Sequence, residues 1–319
     1  MEAQNSPNPF PRINQKKLES LQSGIDILEL WIDNLVVNGI EQLSRDGSKI
    51  EEISTRMVDY GLSGIARKLR VIPEKLKLDK DWQEYCAELL AEFILFISAF
   101  RNQSKIKYHP EDILAYAGIS IKKSEVISSS EGIIDHWILL GTMVDKEENL
   151  SIIRNWFIGK NTGIVFLSID FQVGRFFNSR FFEFNKTYLD TVHFYPSAVK
   201  MRGTEVNIQN GIAAGEINLS GIYLEQALDK IAERVKICPW MNHQLFILKK
   251  LKFAILHHRL YLVSKNHEAL ICTNPDSYWL TLLSYSAYPE VNYIAEYIDK
   301  KFRILSVCIQ GRIIPLKQK

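Results

Sequence analysis

The residues best suited to chemistry gather in the last third of the chain, where His243, His257, His258, His267 and Cys272 offer imidazole and thiol groups. These are the usual donors to zinc. Their positions follow no ligand spacing, and His257 and His258, adjacent on a strand, would point to opposite faces. Packed or solvated histidines are therefore the expectation. A second candidate is "GKNTG" at 159–163, whose glycines, Lys160 and Thr162 could wrap an anion with backbone N–H groups. A phosphate loop needs an upstream glycine and a following helix, whereas here Asn161 separates Lys160 from Thr162 and a strand follows. The segment reads as a hairpin turn.

Residues 171–186, "FQVGRFFNSRFFEFNK", interleave Arg175, Arg180 and Lys186 with Phe176, Phe177, Phe181, Phe182 and Phe184. The phenylalanines can close over a sheet edge while the arginines reach outward to water. The same mixture can contact a protein partner through Arg175, Phe176, Phe177, Arg180, Phe181 and Phe182, or stack nucleic-acid bases. With 39 basic and 37 acidic residues the formal charge is only +2, so nucleic acid is the least favoured of the three.

The motifs with recognisable mechanics are missing. There is no G-x-S-x-G elbow, no H-E-x-x-H pair and no dinucleotide G-x-G-x-x-G. The carboxylate pairs Glu111/Asp112 and Glu51/Glu52 fall where the first turn of a helix favours negative charge, which accounts for them without catalysis. No catalytic residue, metal ligand or cofactor-binding residue is assigned, and the expectation is a protein that is not an enzyme. An unrecognised hydrolase is the alternative, and it requires a concave pocket with paired, perturbed groups.

The elements follow from periodicity. Leu18, Leu21, Ile25, Leu28, Ile32 and Leu35 alternate steps of three and four, predicting a helix over about 15–43. Asp46–Ser48 breaks it, with Ser48 and Glu51 as a capping box for a second helix bearing Ile50, Ile53, Met57 and Tyr60. Pro73 is expected to end that region. Trp82, Cys86, Leu89, Phe93, Ile97 and Phe100 mark a third helix, and Pro110 opens a shorter fourth. Within this region "RMVDYGLSGIARKLR" (56–70) carries Gly61 and Gly64, read as a bend or close helix approach beneath Trp31, with Asp59 pairing Arg56 or capping the broken helix.

Beyond Ser128 the pattern turns extended. "HWILLGTMV", "LSIIRNWFI" and "GIVFLSIDF" predict an antiparallel meander, followed by strands at "TYLDTVHFYP" and "KMRGTEVNI". A helix over 223–235 places Leu224, Leu228, Ile231 and Val235 inward. Strands are then expected at "LFILKKLKFAIL", "RLYLVS", "YWLTLLSYS", "VNYIAEYI" and "FRILSVCIQGRIIPL". The fold class is α+β: a flexible arm over 1–14, an all-helical domain over 15–125, and a mainly antiparallel β domain with at least one packed helix over 130–319. The Pro- and Asn-rich start lacks the apolar core of a secretory signal, and "LLAEFILFISAF" is too short to span a bilayer. Four cysteines, scattered singly, fit a reducing compartment. A cytoplasmic protein with no membrane contact is expected.

Residues 24–70 resemble the region downstream of the finger in bacterial SWIM zinc-finger proteins. That family's "W-x-x-D-L-V-x-x-G-L" and "A-x-R-M-V-D-x-x-x-x-G-L-A-x-x-L-R" helices are matched by Trp31, Leu35, Val36, Gly39, Arg56, Met57, Val58, Asp59, Gly64, Ala66, Leu69 and Arg70. Asn34, Ile40 and Ile65 depart from the pattern. "DHWILLGTMVDKEENLSIIRNWFIGKNTGIVFLSIDF", "VHFYPSAVKMRG" and "CPWMNHQLFIL" are similar to its later segments. Trp31, Arg56, Asp59, Gly61 and Gly64 serve as the structural signature.

The C-x-C…C-x-H finger is not present ahead of the matching helices, so zinc and finger-based DNA binding do not carry over. Whether another chain supplies a finger stays open. The family is commonly encoded beside a MoxR-type AAA+ ATPase and a von Willebrand factor A domain protein. The resemblance therefore implies a non-enzymatic scaffold or adaptor in such a system, with no catalytic residue to transfer.

Overall fold

The structure, a computed structural model, describes residues 10–45, 47–78, 81–103, 105, 108–147, 150–173, 182–209, 211–265, 268–288 and 290–316. The chain divides into two compact units. One comprises Met1–Ile121 with Pro196–Ala198, and the other Lys122–Tyr195 with Val199–Lys319.

In the first unit the seam residues form α1 (Gln15–Asn38), which buries Leu18, Leu21, Ile25, Leu28, Ile32 and Leu35. The Asn14 side chain caps it by accepting from the Lys17 N–H at 2.9 Å. The helix stops five residues earlier than expected, because Gly39 adopts φ +83°. A short α2 (Gln42–Arg45) follows, then α3 (Ser48–Asp59). Gly47, which has no side chain to cap with, occupies the N-cap of α3, so Ser48 falls at the first helical position and not at the predicted cap of a Ser48/Glu51 box. Glu51 instead lies 3.7 Å from Arg70. Next come α4 (Ser63–Leu78), α5 (Trp82–Arg101) and α6 (Pro110–Ala117). Pro73 lies inside α4 and does not end it. Proline removes one backbone donor, and the helix persists because Leu69 and Ile72 are held in the core around it.

The expected loose arm is already packed at Phe10. Its ring stacks on Phe100 at 4.8 Å, and Arg12 pairs with Glu111 at 2.9 Å. Those contacts bury Phe10 and Ile13 before α1 begins.

The second unit opens with α7 (Lys123–Ser129), a helix the sequence pattern did not suggest. Strands β1 (Ile133–Glu147), β2 (Leu150–Gly159) and β3 (Val165–Val173) form the predicted meander, and β4 (Lys186–Val192) and β5 (Ile212–Ala213) extend it in the order β3-β2-β1-β4-β5. The segment "KMRGTEVNI" contributes only single bridges, at Arg202 and Gly203. Gly203 lies close against Phe166 and Val192, which leaves no room there for a regular strand with side chains on both faces.

Helix α8 (Leu224–Ile237) buries Leu224, Ala227 and Ile231; Leu228 is partly buried. Val235, expected inward, is exposed in the last turn of the helix, beyond the buried Ile231. The second sheet contains β6 (Gln244–Lys249), β7 (Lys252–Leu256), β8 (Arg259–Val263), β9 (Ala269–Cys272), β10 (Asn292–Ile298), β11 (Lys301–Ile309) and β12 (Arg312–Pro315). Its order is β6-β10-β11-β9-β8-β7, with β12 also on β11. "YWLTLLSYS" is not a strand but a 3-10 turn leading into α9 (Trp279–Tyr285). Ile138, Leu140, Trp156, Ile294, Leu305 and Cys308 form a core between the sheets.

Candidate functional site

The signature stretch explains itself in backbone terms. The Leu62 N–H donates to the Met57 carbonyl at 2.7 Å and the Gly61 N–H to Val58 at 2.9 Å, while Gly61 takes φ +82°. This is the left-handed Schellman closure of a helix, sealed by an apolar contact between its ends, and both Met57 and Leu62 are fully buried. Gly64 has a different reason: a Cβ there would fall 2.3 Å from the Tyr116 carbonyl and 2.7 Å from the Gly118 N–H. Only glycine lets α4 approach α6 so closely.

The junction does not lie beneath Trp31. It packs on the first half of α1, where Gly24 faces Tyr60 and Leu62 and the Ser20 hydroxyl donates to the Tyr60 carbonyl at 3.3 Å. Arg56 pairs with Glu52 at 2.7 Å rather than with Asp59, since one helical turn toward the N-terminus brings Glu52 alongside.

Trp31 and Arg56 nevertheless meet, across a groove. A cavity of about 370 Å³ opens between α1 and α3, closed at one end by Gln42 and Leu43. Its floor is the buried trio Leu35, Leu43 and Ile53. Ile27, Leu30 and Trp31 form the α1 wall; Lys49, Glu52 and Arg56 form the α3 wall. Leu30 is 69% exposed, and Val37, two turns along the same flank, is 81% exposed. An apolar stripe left in water beside a concave floor is the usual mark of a binding surface. Nothing in the sequence pattern separated Trp31 and Leu30 from core residues, because Trp31 lies one helical turn from both Leu28 and Leu35 of the seam and Leu30 directly precedes it.

Of the aromatic-basic segment, residues 171–173 end β3, and Phe182 and its successors are also described. Phe182 packs inward, edge-on to Phe157 at 4.9 Å and to Tyr188 at 5.1 Å. Arg175, Phe176, Phe177, Arg180 and Phe181 lie outside the described residues.

The sheet unit places its polar residues in structural roles. "GKNTG" is the β2–β3 hairpin turn, with Gly163 at φ +67°. Its clamp is the buried Asp135, whose carboxyl accepts from the Asn161 and Thr162 backbone N–H groups, the Thr162 hydroxyl and the Asn161 amide. Burial alone would raise the Asp135 pKa. The hydrogen bonds from Thr162, Asn161 and His136 outweigh it and hold the carboxyl below its ordinary value.

A second buried carboxyl, Glu296 on β10, accepts from the Trp156 indole N–H at 3.0 Å and lies 3.0 Å from Nδ1 of His243. Arg303 stands opposite it across the β10–β11 pair, and Arg154 pairs with Asp145 nearby. His257 and His258 both take positive φ in the β7–β8 turn, not in a strand, and His267 lies outside the described residues. Among the described residues no three His, Cys, Asp or Glu side chains converge to hold a metal. All four cysteines are buried and none is in a disulfide among the described residues; burial pushes the Cys86 and Cys272 thiols up to about 11, far from a reactive thiolate.

These features find their class in the helical unit. Residues 16–114 match the family model of the SWIM-associated four-helix bundle domain. That match lies in the unit that holds the groove, and the resemblance read from residues 24–70 falls within it. No curated protein and no solved structure matches the chain. No helix among the described residues is long and apolar enough to cross a membrane.

Proposed function

We propose that this protein is a non-enzymatic adaptor that binds a protein partner through the groove of its helical unit. The observation that carries the reading is the exposure of Leu30 beside Trp31 over a buried apolar floor. Leaving such surface in water costs about 25 cal/mol for each Å² that a partner could cover, so the groove gains from being filled. Its charged residues are solvated, and its α3 wall pairs Glu52 with Arg56 rather than arranging a base beside a nucleophile. The absence of a nucleophile–base pair among the described groove residues favours binding over catalysis.

The finer identity of the partner rests on the family resemblance. A MoxR-type AAA+ ATPase and a von Willebrand factor A domain protein, acting together in the cytoplasm, are the partners we propose. Affinity purification of the full chain from its native cell tests this. Recovery of both proteins, abolished by Leu30→Glu, is the expected result. A solitary monomer carrying a small molecule would overturn it.

A further inference from the structure

Resting on that reading, we infer that the occupant of the groove is a short amphipathic helix of the partner, bearing a carboxylate that meets Lys49. Shape supplies the first part. The α1 wall presents Ile27, Leu30 or Trp31, and Asn34, while the α3 wall presents Lys49, Glu52 or Ile53, and Arg56. Both walls thus repeat at three to four residues over seven, so two parallel ridges about 10 Å long flank one valley. A third helix fits such a valley by laying side chains at i, i+3 or i+4, and i+7 between the ridges. An extended strand instead needs an exposed sheet edge to pair its backbone N–H and C=O groups, which a valley between two helices does not supply.

Charge supplies the second part. Glu52 and Arg56 neutralise one another at 2.7 Å, with both side chains more than half exposed. Lys49, one turn before Glu52 on the same wall, is exposed and makes no ion pair with the described residues. Among the described residues the rim therefore presents one uncompensated positive charge beside an apolar floor. A partner carboxylate at that end satisfies it, and a partner cation is repelled. Trp31, half-buried and next to Leu30, is the large apolar anchor on the other wall.

The test is a selection from a displayed library of random 16-residue peptides on the full chain, followed by fluorescence anisotropy with the enriched peptides. The expected peptides carry apolar residues at helical spacing with an Asp or Glu at one end. Their affinity should fall at least tenfold on Leu30→Glu and about fivefold to tenfold on Lys49→Glu, and a peptide with Lys in place of its acid should recover binding to Lys49→Glu. Both substitutions are at exposed positions, and circular dichroism checks that folding is unchanged. Enriched peptides that depend on Leu30 but lack helical spacing, or are indifferent to Lys49→Glu, overturn the inference and leave the adaptor reading standing. Peptides indifferent to Leu30→Glu, or a selection that enriches nothing, count against both.

Discussion

In the helical unit Lys49, Glu52 and Arg56 stand in solvent beside apolar side chains left uncovered, whereas in the sheet unit Glu296 and Arg154 are buried and Arg303 is half-buried beside them. Charge at the groove is available to a partner; charge at the joint between the sheets is committed to the fold. Glu296 is fully buried, and its Oε1 accepts from Trp156 on β2 and lies beside His243, just ahead of β6, so it ties three segments distant in the chain. Burial of Arg303 lowers its pKa, while Glu296 and Asp145 oppose that shift. The same residue types therefore do opposite work according to what surrounds them.

The sharpest way to break this contrast is Glu296→Ala. It strands the Trp156 indole N–H and leaves Arg303 without its cross-strand partner, and removing one member of a buried charged set costs about 3 to 5 kcal/mol. Urea denaturation should show a loss of that size. A loss under 1 kcal/mol would mean the joint is as dispensable as a surface pair. Next in size is Gly64→Ala, on the closed side of the helical unit. The added methyl meets backbone atoms of Tyr116, Ala117 and Gly118, which cannot rotate away, so about 1 to 3 kcal/mol of overpacking is expected. Thermal unfolding that matches the parent would show that α4 can move off α6.

How much of this was legible depended on the range of the interaction. The α1 seam and the β1–β2–β3 meander were readable because their patterns repeat within a dozen residues. "YWLTLLSYS" misled because Trp, Tyr and Thr favour strands locally, while its packing as α9 beside the second sheet is decided by residues far away. Trp156 and Glu296 are 140 positions apart, and no local pattern announces their bond. The groove escaped notice for a related reason. Trp31 and Leu30 become a site only because α3 covers one flank of α1 and leaves the other open.

Asp135 separates the joint from an ordinary turn clamp, with a smaller effect that depends on pH. Its folded pKa is depressed, so the stability it contributes is complete above the ordinary aspartate value of about 3.9 and is lost as pH falls through the lower folded value. Asp135→Asn removes that contribution, at a cost of about 1 to 2 kcal/mol at neutral pH. The variant and the parent should converge in urea midpoint once the pH lies below the folded pKa. A constant gap from pH 7 to pH 2 would place the effect in packing and not in ionisation.

The smallest effect belongs to the groove itself. Leu30→Ser and Val37→Ser, each at a position more than two-thirds exposed, remove apolar surface that the folded chain does not bury. Exposed substitutions of this kind change stability by about 0.5 kcal/mol or less, so the denaturation midpoint should hardly move while solubility rises. Binding is where the loss must appear. If instead either substitution destabilises the protein by 2 kcal/mol, the stripe is packed within the chain in solution, and the distinction between a committed joint and an available groove fails at its weaker end.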